Sequence, residues 1–82
     1  MFVKCKIKTT LELPIEFIFN IEKMVVIEKA IDMKQISLNF VNGNINLDFS
    51  TYEICAEIFE AFTELLATEE SILSDNITLL IL

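Results

Sequence analysis

Apolar and polar residues alternate from the start of the chain. Val3, Cys5 and Ile7 hold odd positions, Lys4, Lys6 and Lys8 hold even ones, and the odd phase continues through Leu11, Leu13, Ile15, Phe17 and Phe19. Period-two alternation is the mark of a strand buried on one face. One strand of that length would overrun a small domain at about 3.3 Å per residue, so a turn is predicted at Lys8-Thr9-Thr10. An odd loop keeps the apolar phase on one face, with Ile7 beside Leu11, Cys5 beside Leu13 and Lys6 opposite Glu12. Lys4 then falls near Pro14, and Glu16 lies further along the same outer face. Pro14 lacks an N–H, which places the second strand at a sheet edge or at a bulge. A helix begun at Pro14 would put Glu16, Asn20 and Lys23 among its apolar residues, so strand is read to about Phe19.

Beyond Phe19 the spacing changes. Asn20 is placed to cap a helix over residues 21–32, with Phe19 and Met24 as a hydrophobic staple. The core face of that helix would be Met24, Ile27, Ala30 and Ile31, with Val26 beside them. A second hairpin follows. Ile36, Leu38 and Phe40 alternate inward, Asn42-Gly43 supplies type I′ turn residues, and Ile45, Leu47 and Phe49 alternate inward on the return. Ser50-Thr51-Tyr52-Glu53 reads as a capping box with Phe49 and Ile54 as its staple, opening a helix to about Ala67. A polar connection with one short turn around Ser71 to Leu73 leads to Ile77-Thr78-Leu79-Leu80-Ile81-Leu82. Such a run is a strand buried on both faces, or one whose second face meets another protein.

The fold predicted from these elements is a single α+β domain over residues 1–82. It has two layers: a mixed or antiparallel sheet of about five strands (two hairpins plus the C-terminal strand) packed against two helices. If residues 14–32 are helical instead, the order becomes β-α-β-β-α-β, a ferredoxin-like plan.

Charge sharpens the picture. The net charge is −7 over 82 residues, and it is unevenly spread. Residues 1–34 hold all six lysines against five acids, while residues 35–82 hold eight acids and no base. There is no arginine, so the bidentate contacts that usually grip phosphate and guanine are missing. A field of this sign repels nucleic acid and anionic lipid and attracts basic protein surfaces. The expectation is a protein partner with a basic surface, no direct nucleic acid binding and no membrane contact. The longest apolar run, Leu79 to Leu82, is far short of the roughly 20 residues of a membrane span. The N-terminus lacks the pattern of a secretory signal. Cys5 and Cys55 both sit in apolar phases and read as reduced core thiols, which points to a cytoplasmic setting.

Catalytic chemistry finds little to work with. The chain has no histidine, which removes His-based triads and the usual zinc sites. Gly43 is the one glycine and belongs to a turn, so there is no phosphate-cradling loop. Asn39, Asn42, Asn44 and Asn46 cluster at that turn without the Asp-rich calcium pattern. No catalytic, cofactor or metal residues are assigned, and the chain reads as a non-enzyme.

One pattern points outward. Glu53, Glu57, Glu60 and Glu64 recur at 4-3-4 spacing, which at about 100° per residue confines them to an arc of roughly 60°. Ile54, Cys55, Ile58, Phe59, Phe62, Leu65 and Leu66 fill the opposite side. The row spans about 16 Å at one charge per roughly 5.5 Å, sparser than the roughly 3.4 Å of a DNA strand. A nucleic acid mimic would therefore need Asp48, Glu69, Glu70 and Asp75 on the same surface. The alternative is an acid-rich face that only keeps the chain solvated. The functional expectation is a small acidic binding module whose helix face, Glu53, Glu57, Glu60 and Glu64 with Glu69 and Glu70, docks on a basic site of a nucleic-acid-handling protein as an inhibitor. In size, charge and lack of catalytic residues this is similar to small acidic phage-encoded inhibitors, anti-CRISPR proteins among them, with no shared motif. The alternative expectation is an accessory protein that forms a homo-oligomer through its apolar C-terminal strand, with Leu80 and Leu82 as contacts.

Overall fold

A computed structural model describes residues 1–10, 14–30 and 34–82. The N-terminal alternation becomes two antiparallel strands, β1 (Phe2–Ile7) and β2 (Ile15–Asn20). Their register pairs Val3 with Phe19, Cys5 with Phe17, Lys6 with Glu16 and Ile7 with Ile15. The predicted partners Leu11, Glu12 and Leu13 lie outside the described residues; β1 ends at Ile7 and β2 begins at Ile15. Because the register moved by an even number of residues, the described side chains of β1 and β2 kept their predicted faces. Lys4 and Lys6 both reach Glu16, at 3.2 and 3.9 Å. Pro14 stands just ahead of β2, which is an outer strand of its sheet.

The predicted helix over residues 21–32 is corrected. Asn20 does act as a cap, its side chain accepting from the Glu22 N–H at 3.0 Å, but the helix it opens is a single 3₁₀ turn, Ile21–Lys23. The chain then runs as β3, Met24–Ala30, while Ile31 and Asp32 lie outside the described residues. The reason is a β-bulge. Register against the next strand shifts between Met24 and Val26, so the inward positions fall at Met24, Ile27 and Lys29. A three-residue step between inward positions imitates a helical repeat. The β-branched run Val25-Val26-Ile27 favours the strand.

Next come β4 (Gln35–Phe40) and β5 (Gly43–Asp48). The inward faces are the predicted ones, but the turn lies one residue earlier, at Val41-Asn42, with Phe40 paired to Gly43. Type I′ geometry needs positive φ at both turn residues. Here only Gly43, Lys34 and Glu69 have positive φ among the described residues, so the type I′ assignment is also corrected. The one long helix, α1, spans Tyr52–Thr68. It is followed by a short β6 (Ile72–Leu73) and by β7 (Ile77–Ile81).

The strands form two antiparallel sheets in place of one. A four-stranded sheet has the order β2-β1-β7-β6, and a three-stranded sheet has the order β3-β4-β5. With one long helix, two sheets and strand at residues 15–20 and 24–30, neither the two-helix plan nor the ferredoxin-like alternative stands. The inner faces of both sheets and one side of α1 share a single core, built on Val3, Cys5, Ile7, Ile36, Leu38, Leu47, Ile58, Phe62, Leu65, Ile77 and Leu79. Phe19 joins its parts: its ring lies 5.8 Å from Phe40 of the second sheet and 6.2 Å from Phe62 of the helix. Offset and tilted ring pairs of this kind add to plain area burial.

Candidate functional site

The acidic row rests on a helix fixed at both ends. Thr51 is the N-cap, its Oγ1 accepting from the Ile54 N–H at 3.1 Å. The predicted capping box of Ser50 and Glu53 is corrected, because the cap falls one residue later and the third helical position is then Ile54, which has no side-chain acceptor to reach back. Glu53 lies in the first turn, where the positive end of the helix dipole favours a carboxylate. At the other end Glu69 adopts the left-handed conformation, φ 55°, and its N–H bonds to the Leu65 carbonyl at 2.8 Å. Thr63 and Thr68 bond back to the carbonyls of Glu60 and Glu64.

One side of α1 is inside. Cys55, Ile58, Ala61, Phe62 and Leu65 are buried, and Ile54 and Phe59 pack half-buried beside them. Leu66, expected among the buried residues, is partly exposed. Glu53, Glu57, Glu60 and Glu64 are all exposed, and so are Glu69 and Glu70 just beyond the helix. The structure therefore puts the six predicted partner-binding residues along one helix and its C-terminal extension. Asp75 adjoins them, because its neighbour Asn76 donates from Nδ2 to Glu57 Oε2 at 2.5 Å. Asp48 does not: it accepts from Gln35 Nε2 at 2.9 Å on the outward face of the three-stranded sheet. A mimic's charge density is only partly assembled.

Cations reach the helix flank but not the row. The Lys29 ammonium lies over the Phe59 ring at 5.3 Å and the Lys34 ammonium over the Tyr52 ring at 5.2 Å. The ion pairs found among the described residues join Met1 to Glu22, and Lys4 and Lys6 to Glu16. None includes an acid of α1. Three carboxylates, Glu64, Glu69 and Glu70, crowd the negative end of the helix, whose last turn holds no basic residue. That arrangement costs stability.

Both cysteines are free and buried. Burial pushes the Cys5 thiol up to about 12. Burial also raises Cys55, opposed by the nearby Lys29 charge. Protonated thiols are poor nucleophiles. Lys29, Ala30, Tyr52, Cys55 and Ala56 line a cleft of about 280 Å³ beside the helix start, a small and mostly apolar space. Among the described residues no group of His, Cys, Asp and Glu is arranged to hold a metal ion, and no helix is long and apolar enough to cross a membrane.

The predicted oligomer contacts sit elsewhere. β7 lies inside its sheet between β1 and β6, and the Ile81 N–H is taken by Ser71 Oγ at 3.0 Å. Its edge is therefore covered in part, by the two residues of β6 and by Ser71. Leu80 and Leu82 instead face outward from the sheet, 42% and 64% exposed. The sequence reading missed Phe2 and Ile18, which share that face at 56% and 58% exposure. The available signal was their apolar character at even positions of otherwise polar outer faces.

Comparison with protein families, with characterised proteins and with solved structures finds no match to this chain.

Proposed function

We propose that this chain is a non-enzymatic protein-binding module that docks the acidic row of α1 on a basic surface of a partner. A basic groove that handles nucleic acid is the site such a row fits, and occupying it would inhibit the partner. The observation that carries the reading is the row itself: Glu53, Glu57, Glu60 and Glu64 exposed on one rigid helix, extended by Glu69 and Glu70, with no cation paired to them among the described residues. Acids gathered at the wrong end of a helix dipole are a cost that solubility alone does not require. The reading places the protein in a reducing, cytoplasmic compartment, supported by two unpaired cysteines.

The test is affinity capture from lysate at low and then moderate salt, comparing the wild type with Glu60→Lys/Glu64→Lys. Neither side chain has a partner within the described fold, so the variant should keep its structure. Basic proteins held by the wild type, released by salt and lost by the variant support the proposal. Equal recovery by both proteins would leave the row a solvated face.

A further inference from the structure

β2 leaves one edge of its backbone unpaired. Just beyond the Phe2–Asn20 pair, the Ile21 N–H bonds to the Met1 carbonyl at 3.0 Å. Bonded and non-bonded pairs alternate along an antiparallel ladder, so Phe19, Phe17 and Ile15 are the residues that bond to β1. The N–H and C=O groups of Glu16, Ile18 and Asn20 therefore point the other way. The β1–β7 ladder agrees, because Phe2 accepts there from the Leu82 N–H. Among the described residues no strand lies beyond β2, and no backbone hydrogen bond reaches those outward groups. The devices that blunt an edge are sparse here: β2 has no lysine and no bulge against β1, and Glu16 is its one charge.

A cleft of about 270 Å³ adjoins the same edge. Ile18, Phe19 and Asn20 line one side of it, and Phe40 and Ile45 of the second sheet line the other. Successive side chains of a strand point to opposite faces. A single cleft that touches three in a row runs along the strand's edge, and the inner edge is taken by β1. Asn20 is still extended there, at φ −103° and ψ 116°, so the outward backbone groups continue to the mouth of the cleft. Lys23, exposed and in no ion pair among the described residues, completes the lining.

We propose that the outer edge of β2 receives an extended peptide segment of another protein, which adds as a strand and seats one apolar side chain in the cleft. Backbone pairing with Glu16, Ile18 and Asn20 supplies the affinity, and the cleft supplies the selection. Its volume is below the roughly 300–1,000 Å³ of a small-molecule site, which suits a side chain anchored by its own backbone. Phe19, Phe40 and Ile45 make the seat apolar, and the free Lys23 ammonium favours a carboxylate on a neighbouring residue of the peptide. Phe40 and Ile45 also wall the slot on its far side, which fits one free strand better than the edge of a second folded sheet. The inference does not rest on the acidic row, which lies on α1.

The experiment is selection of displayed random peptides of about twelve residues against the full chain, then titration of a recovered peptide. The titration compares wild type with Ile18→Pro, Lys23→Glu and, as a control on the far strand of the sheet, Leu73→Lys. Ile18→Pro deletes an outward N–H that the fold does not use, and proline is tolerated on strand edges. Circular dichroism reports whether each variant is folded. The expected peptides carry an apolar residue next to an acidic one, bind wild type and Leu73→Lys alike, and bind the other two at least tenfold more weakly. Failure to recover any peptide overturns the proposal, and so does equal binding to all four proteins. Binding lost in Glu60→Lys/Glu64→Lys but kept in Ile18→Pro belongs to the acidic row and also contradicts it. Should Ile18→Pro fail to fold, amide hydrogen exchange of the wild type decides. Added protection at Glu16, Ile18 and Asn20 with peptide supports strand addition, and protection confined to other elements contradicts it. Protection of those three amides by concentration alone would assign the edge to a second copy and overturn the peptide reading.

Discussion

Asn76 and Glu57, nineteen residues apart, are joined by a hydrogen bond from Nδ2 to Oε2 at 2.5 Å. The bond ties the middle of the acidic row to the turn between β6 and β7, whose Asn76 carbonyl also accepts from the Lys8 N–H at 3.0 Å. Glu57 thus has a structural partner, while Glu60 and Glu64 offer theirs only through backbone carbonyls. Asn76→Ala and Glu57→Ala should each lower stability by about 0.5–1 kcal/mol. The double variant should lose little more than either single one, because both remove the same bond. Urea unfolding of the cycle measures this, and fully additive losses would deny the coupling.

The C-terminal end of α1 should be improvable. Glu69→Gly relieves a side chain held at φ 55° and is expected to add about 1 kcal/mol. Glu64→Lys places a cation where the dipole favours one and should add about 0.3–1 kcal/mol. Melting temperatures report both. The same Glu64→Lys change should weaken partner binding, so stability and affinity move in opposite directions.

Phe19 joins the two sheets and the helix through its contacts with Phe40 and Phe62. Removing it opens a cavity on three sides, and Phe19→Ala should cost about 3–5 kcal/mol. That is a large share of the roughly 5–15 kcal/mol a small domain has. At concentrations below any self-association, Phe2→Ala on the exposed face should stay within about 0.5 kcal/mol. Chemical denaturation of the pair tests the difference.

Burial of Cys5 ties stability to alkaline pH. In the unfolded chain the thiol ionises near 9.0, while in the fold it is pushed up to about 12. The folded-state value is the higher one, so the contribution is complete below pH 9 and falls as pH rises toward 12. The expected slope is about 1.4 kcal/mol per pH unit. Between pH 9 and 10, Cys5→Ala should lower the overall stability yet flatten this slope. Thiol reagents at pH 8 should label Cys5 and Cys55 only at the rate of unfolding.

Where one periodicity governed a segment, the sequence was readable. The described inward residues of β1, β2, β4 and β5 were placed correctly because their register slips were even, four residues between β1 and β2 and two between β4 and β5. Even slips leave faces unchanged. On α1 the helical period placed all but Leu66. β3 was misread because its bulge spaces Met24 and Ile27 like a helix, and local pattern cannot tell the two apart. Ile72 and Leu73 were too few to register as β6; pairing with β7 makes them a strand. The carboxylate row was fully legible, since helical spacing alone exposes Glu53, Glu57, Glu60 and Glu64. Its tie to Asn76, the cations over Phe59 and Tyr52, and the apolar outer face required strand order, which is a non-local property.

The central claim is that the acidic row binds a basic protein surface. The most direct test is titration of the captured partner with wild type and Glu60→Lys/Glu64→Lys at about 50 and 300 mM salt. The account expects wild-type affinity to fall at least tenfold between the two salts and the variant to bind at least tenfold more weakly at the lower one. Affinity that ignores both salt and charge reversal would contradict it.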